Sequence, residues 1–217
     1  MKTRSLLFGL IALFLSFVTI PAFAQNNLVT ETPQYKIGDT WTYTSTNLSN
    51  NTRISTYTDT VKKIDGDVVF FQKVNKRGIE SEMLTTLEGN VISVAGNTVT
   101  PYFPTFSFPM NTSKKWEKDY ETTHTSDGAK TAGTLKAEVI SYEKVTVPAG
   151  TFDAFKTEYY AFYQRVDGTS RHGKFINTYW YAPSAKRFVK EEATSFSARG
   201  SLMDHTLTQL EEFTLKE

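Results

Sequence analysis

The sequence predicts an all-β fold, a single domain of about 10–12 antiparallel strands forming a curved half-open barrel or a sandwich. Three observations lead there. Short runs rich in Thr, Val, Tyr and Phe recur along the chain and are separated by turn pairs such as Asp65-Gly66 and Gly96-Asn97. No long amphipathic helical repeat occurs after the first two dozen residues. Several runs carry large apolar side chains on both parities, Val69 and Phe71 against Val68 and Phe70, and Tyr159 against Tyr160 and Phe162. Successive strand side chains point to opposite faces, so such runs call for a filled concave side and a partly covered convex side.

Taken in order, residues 1–24 read as a cleaved secretory signal: Lys2 and Arg4 give a positive start, Leu6 to Ile20 form a short apolar run, and Ala22-Phe23-Ala24 gives a small-x-small cleavage site. Removing these 24 of 217 residues leaves 193, enough for one domain with a substantial core. The mature chain is expected to be periplasmic or secreted. Residues 25–37 form an irregular lead-in, and residues 38–217 the all-β domain.

Gly38-Asp39 opens a strand in which Trp41, Tyr43 and Ser45 alternate with threonines, and Ile54 to Ile64 follows as the next. Asp65-Gly66 supplies the positive φ angles of a tight hairpin into Val68-Val69-Phe70-Phe71. Glu82 to Leu87 and Val91 to Val94 are short strands expected near an edge or a rim. Regularity then breaks from Pro101 to Trp116: Pro101, Pro104 and Pro109 cannot donate to a ladder, while Tyr102, Phe103, Phe106, Phe108 and Met110 are too apolar for a solvated loop. That segment either caps the core or lids a cavity.

Trp116 to His124 and Leu135 to Val147 resume the sheet, with Ser126-Asp127-Gly128 between them, and Val147-Pro148-Ala149-Gly150 reverses the chain. Phe155 to Tyr163, a turn at Asp167-Gly168, Phe175 to Tyr181, Phe188 to Phe196 and Leu202 to Leu215 complete the series. In the last run Met203, Leu207 and Leu210 would also line a helix, but its threonines favour a strand. A weak echo between Gly38–Tyr43 and Ser113–Tyr120, each a turn followed by a tryptophan strand, would fit a duplication.

Composition excludes several function classes. Lys and Arg number 24 against 23 Asp and Glu, or 22 against 23 without the signal, and the basic residues are scattered, so nothing points to nucleic acid or to an anionic membrane surface. Cysteine is absent, which removes disulfides, thiolate metal sites, a cysteine nucleophile and lipid attachment at a lipoprotein signal. No second long apolar run follows the signal, so no transmembrane anchor is expected in the mature chain. There is no Gly-x-Ser-x-Gly elbow, no His-x-His or His-Glu-x-x-His spacing and no phosphate-cradling glycine loop. His124, His172 and His205 are far apart and read as isolated surface groups. The adjacent pairs Glu191-Glu192 and Glu211-Glu212 read as solvated or salt-paired surface, and Asp65-Gly66-Asp67 as a hairpin turn, not a calcium loop. No catalytic residue, metal or cofactor is implied.

Val147-Pro148-Ala149-Gly150-Thr151-Phe152, then Tyr179-Trp180-Tyr181-Ala182-Pro183, together with the Gly38-Asp39-Thr40-Trp41-Thr42-Tyr43 opening and the proline-containing approach from Pro109 to Trp116, resemble exported bacterial β-proteins of unknown function, the TapB-like and DUF3108-like domains. The resemblance spans nearly the whole mature chain and implies a fold without implying a reaction. The functional expectation is therefore an exported β-domain that binds an apolar or amphipathic ligand such as a lipid, with Tyr102, Phe103, Phe106, Phe108, Met110, Tyr179 and Tyr181 as candidate binding residues. The alternative is a protein-interaction or structural component of the cell envelope without a small-molecule ligand. A ligand binder should enclose a cavity of several hundred Å³, an interaction protein should present an uncovered edge, and an enzyme should bring a histidine to an acid inside a cleft.

Overall fold

The computed structural model describes residues 28–166 and 172–217. The expected signal and the Asp167-Gly168 turn lie outside the described residues. Twelve strands follow in chain order: β1 Thr40–Asn47, β2 Thr52–Asp65, β3 Val68–Asn75, β4 Glu80–Thr86, β5 Val91–Val94, β6 Asn97–Phe103, β7 Lys115–His124, β8 Lys130–Val147, β9 Gly150–Arg165, β10 His172–Ala182, β11 Arg187–Ser197 and β12 Leu202–Thr214. Each pairs antiparallel with its chain neighbours. The ring is closed by β1 against β12, from Thr40 opposite Thr214 to Asn47 opposite Thr206.

Closure corrects two expectations. The short β4 and β5 are paired on both sides and lie at no edge. No second sheet covers the convex side, where Phe162 and Ile176 stay exposed. Lysine stems and ammonium groups shield several outward aromatics instead: Lys63 stands over Phe70 at 5.0 Å, Lys174 over Phe196 at 4.7 Å, and Lys190 over Trp180 at 4.3 Å. Apolar residues on both parities thus reflect an aromatic-lined lumen inside and, outside, rings of which several are cation-covered.

The irregular segment begins later than its prolines suggest. Pro101 lies within β6, because pairing with β7 ends at Thr100 and the ladder there needs no N–H from the next residue. Residues 104–114 then leave the wall and stop one end of the barrel. Asn90, wholly buried between β4 and β5, donates from Nδ2 to the Phe106 carbonyl (2.9 Å) and accepts from the Phe106 N–H (2.7 Å). Met110 exchanges backbone bonds with Thr30 at 2.9 and 2.8 Å, and Phe106, Phe108 and Met110 form one cluster with Val139, Phe155 and Tyr181.

The motif residues behind the family resemblance gather at this same end. Asp39 is fully buried and accepts from the Lys36 N–H (2.9 Å), the Lys216 N–H (2.7 Å) and Lys186 Nζ (2.9 Å). Trp41 Nε1 donates to the Ala185 carbonyl at 2.7 Å, within the 3-10 turn Pro183–Ala185, and Tyr43 Oη donates to the Phe188 carbonyl at 2.8 Å. At the tip of the β8–β9 hairpin, the Ala149 N–H donates to the Leu210 carbonyl (3.0 Å), and Phe152 packs on Phe213. The Gly-Asp-Thr-Trp-x-Tyr stretch, the turn that Pro183 opens and the Val-Pro-Ala-Gly-Thr-Phe hairpin therefore form one latch. They lock the closed end, and their chemistry is that of packing and capping.

Candidate functional site

Antiparallel alternation puts the last residues of β1, β3, β5, β7, β9 and β11 at the opposite end. Toward that end lies a cavity of about 560 Å³. Its wall is aromatic on the lumen parity: Phe103 from β6, Tyr120 from β7, Tyr159 and Tyr163 from β9, Phe175 and Tyr179 from β10. The rings brace one another. Phe103 meets Tyr120 edge-on at 4.8 Å, Tyr159 stacks on Tyr179 at 5.6 Å, and Tyr163 stacks on Phe175 at 4.8 Å.

Two glycines keep this lumen from filling. Along one row of paired residues Tyr120 faces Gly133, Gly133 faces Tyr163, and Tyr163 faces Gly173. A Cβ at Gly133 would lie 2.6 Å from the Tyr120 hydroxyl, and one at Gly173 would lie within contact-forbidden distance of the Tyr163 hydroxyl. Each tyrosine therefore lies along the sheet over a neighbouring glycine, where a side chain would push the ring into the lumen.

Thr122, Thr131, Thr194 and Ser195 share the lining with the aromatic rings. Asn177 donates from Nδ2 to Glu191 Oε1 at 2.9 Å, across the β10–β11 pair. Glu191 is set deep in the wall and reaches solvent through the cavity; burial raises its pKa above the ordinary 4.5, opposed by hydrogen bonds from Tyr179 and Asn177 and by the charge of Lys73. Asn177 Oδ1 and Tyr120 Oη are buried, belong to residues that line the cavity, and have no hydrogen-bond partner among the described residues. Exposed Asp204 marks the mouth. Among the described residues, the lining contains no Lys, Arg or His.

Beneath this cavity a smaller one of about 160 Å³ surrounds a buried charge cluster. Arg187 Nη1 donates to Asp59 Oδ2 at 3.0 Å, and Lys73 Nζ lies 3.4 Å from Asp59 Oδ1. The Arg187 guanidinium sits 4.8 Å from the Phe71 ring centre and 5.1 Å from Trp41, and Lys73 lies 3.6 Å over Tyr57. Burial depresses the Lys73 pKa, with Asp59 opposing. Burial likewise pushes Tyr35 beside this cluster up to about 12, so its hydroxyl stays neutral.

Among the residues singled out from the sequence, Phe103 and Tyr179 line the large cavity. Tyr179 also lines the small one, with Phe106 and Tyr181. Phe108 and Met110 are core side chains of the plug. Tyr102 stands apart and accepts from Lys118 Nζ at 2.5 Å. Tyr120, Tyr159, Tyr163, Phe175, Asn177 and Glu191 were not singled out. Their signal was a shared lumen parity across paired strands, which becomes visible only once register is known.

Glu191-Glu192 is not a surface pair: Glu191 faces inward, while Glu192 Oε1 lies 2.8 Å from His205 Nε2. His124 Nδ1 lies 3.2 Å from Asp127 at the β7–β8 turn. Neither histidine–acid pair lines the cavity. Among the described residues, no three His, Cys, Asp or Glu side chains converge in a metal-binding arrangement.

Comparison with solved structures places the fold. The chain is similar to the crystal structure of a candidate lipoprotein from Parabacteroides distasonis, with a TM-score of 0.58 and 17% identity over 85% of this chain and 99% of that one. It is also similar to a candidate exported protein with a YmcC-like fold from Bacteroides fragilis, with a TM-score of 0.56 and 16% identity over 86% of this chain and 100% of that one. At these identities the likeness is one of fold. No family model matches the chain, TapB-like and DUF3108-like domains included, and no curated protein matches it.

Proposed function

We propose that this chain is an exported binding protein that holds the apolar body of an amphipathic ligand in the open-end cavity. The observation that carries this reading is the cavity of about 560 Å³ itself, within the size range of small-molecule sites and walled by six aromatic rings, of which Tyr120 and Tyr163 lie back over Gly133 and Gly173. Export is supported by the signal-like residues 1–24 and by the likeness to a candidate lipoprotein and a candidate exported protein. The alternative reading, an envelope interaction module, loses its simplest route, since the closed ring leaves no strand edge for a partner to extend.

Charge narrows the ligand. A carboxylate or phosphate head in the cavity would meet Glu191 and Asp204 with no basic side chain among the described lining residues, a repulsion in a poorly solvated place that Lys73 offsets only from the smaller cavity. The polar end should be neutral or cationic and rich in hydrogen-bond donors. Asn177 Oδ1, Tyr120 Oη and the Glu191 carboxylate are the groups that would receive it.

Native mass spectrometry of protein isolated from its own envelope tests this reading. We expect a retained mass above that of the bare chain, and we expect Ala193→Phe, which projects a ring into the cavity from β11, to lose that mass while melting within a few degrees of wild type. A bare mass for wild type, with no lipid in a solvent extract, would leave the cavity without its ligand and return the chain to the interaction reading.

Glu191 makes a second, pH-dependent prediction. Its folded pKa is raised, so the folded state binds this proton more tightly than the unfolded state does. Stability from this group is therefore greatest below the unfolded value of 4.5 and declines as pH rises through the folded value. Glu191→Gln should melt above wild type at neutral pH, and the gap should close in acid. A variant equally destabilised at both pH values would mean that the carboxylate acts through its hydrogen bonds alone.

A further inference from the structure

Glu191 is a carboxylate set among rings. In register it lies opposite Tyr179, and Asn177 lies opposite Tyr159, so the two polar side chains stand beside the stacked pair Tyr159 and Tyr179 in the wall of the large cavity. Burial, then hydrogen bonds from Tyr179 and Asn177, dominate the titration of Glu191, and the charge of Lys73 comes last. Lys73 and Arg187 belong to the smaller cavity and share Asp59, at 3.4 and 3.0 Å. Arg165, at the end of β9, acts on Asp127 and is not a lining residue. Asn177 completes the polar edge. Its Nδ2 donates to Glu191 Oε1 at 2.9 Å, and because an ionised carboxylate only accepts, this bond fixes which way the amide faces. The Oδ1 left over is buried, with no donor among the described residues.

We infer that Glu191 and Asn177 form a binding site for a primary ammonium group, so that the ligand of the cavity is an amphipathic amine. This rests on the cavity reading above and narrows it to one head group. Acceptors without donors select the N–H, and the carboxylate selects the charge. A neutral head would leave Glu191 ionised in a poorly solvated wall without a close counter-ion. An ammonium pairs with it and is attracted as well by the faces of the neighbouring rings. A quaternary ammonium would meet the charge and the rings but has no N–H for Asn177 Oδ1, whereas a primary one supplies both.

Isothermal titration of the full chain with n-octylammonium, octyltrimethylammonium, n-octanol and octanoate tests it, since only the head differs. Octylammonium should bind about ten-fold or more tighter than octanol and several-fold tighter than octyltrimethylammonium, with octanoate weakest. Glu191→Gln should bring the ratio of octylammonium to octanol affinity to within about two-fold of one, and Asn177→Ala should narrow the gap between the primary and the quaternary head. Should Asn177→Ala fail to fold, Glu191→Gln, expected above to melt higher than wild type at neutral pH, keeps the test decisive. Octanol binding with no preference for the ammonium, or a preference that survives Glu191→Gln, overturns this inference and leaves the cavity reading standing. Equal or tighter binding of octyltrimethylammonium overturns the assignment to a primary ammonium. No binding of any head to wild type overturns the inference and the cavity reading together.

Discussion

Asp59→Ala is expected to lower the free energy of unfolding by about 3–5 kcal/mol. Asp59 is 1% exposed and is the acid shared by Arg187 at 3.0 Å and Lys73 at 3.4 Å. Removing it strands two cations in a lumen walled by Trp41, Tyr43, Tyr57 and Phe71. The rings offset part of that cost, since cation–π contact contributes about 1–2 kcal/mol where water is excluded, but they cannot replace a carboxylate. Urea unfolding followed by tryptophan fluorescence reads the effect. Asp59→Ala/Arg187→Met should recover part of the loss, because an apolar pair leaves less charge unmatched. A cost below about 1 kcal/mol for Asp59→Ala would mean that water solvates Arg187 from the smaller cavity, and the dry-cluster account would fail.

Trp41→Ala is expected to cost about 3–5 kcal/mol, and Trp41→Phe about 1–2 kcal/mol. The alanine variant opens a hole in the largest core cluster and leaves the Ala185 carbonyl without its donor. The phenylalanine variant keeps most of the ring contact with Phe71 and Tyr35 but loses the 2.7 Å bond from Nε1. The two values separate packing from latching. Equal losses would assign the effect to the hydrogen bond, and a negligible loss for phenylalanine would assign it to volume. Neither variant touches a residue lining the large cavity, so retained ligand mass should follow folding alone.

Much of the fold was legible along the chain because hairpin chemistry is local. Asp65-Gly66 marks the β2–β3 turn, with Gly66 at φ +55°, and the threonine-rich Leu202–Thr214 run is a strand despite its helix-compatible leucines, since it closes the barrel against β1. Pro101 misled the reading because a proline's cost depends on whether its missing N–H was needed, and that depends on where β7 stops pairing. The candidate site was less legible. Phe103 and Tyr179 were picked out as aromatics beside prolines and tryptophan, yet the rest of the wall required register. Glu191 and Glu192 differ in fate only because one parity faces the lumen.

The sequence by itself determined the class of the fold, the strand series and the latch motifs, since turn propensity and side-chain alternation act over a few residues. Closure into a ring and the cavity lined from strands β6 to β12 were decided by tertiary structure. The reason is geometric: an up-and-down meander sends every second turn to the same end, so turns 48–51, 76–79 and 125–129 meet there while the intervening turns lie at the other.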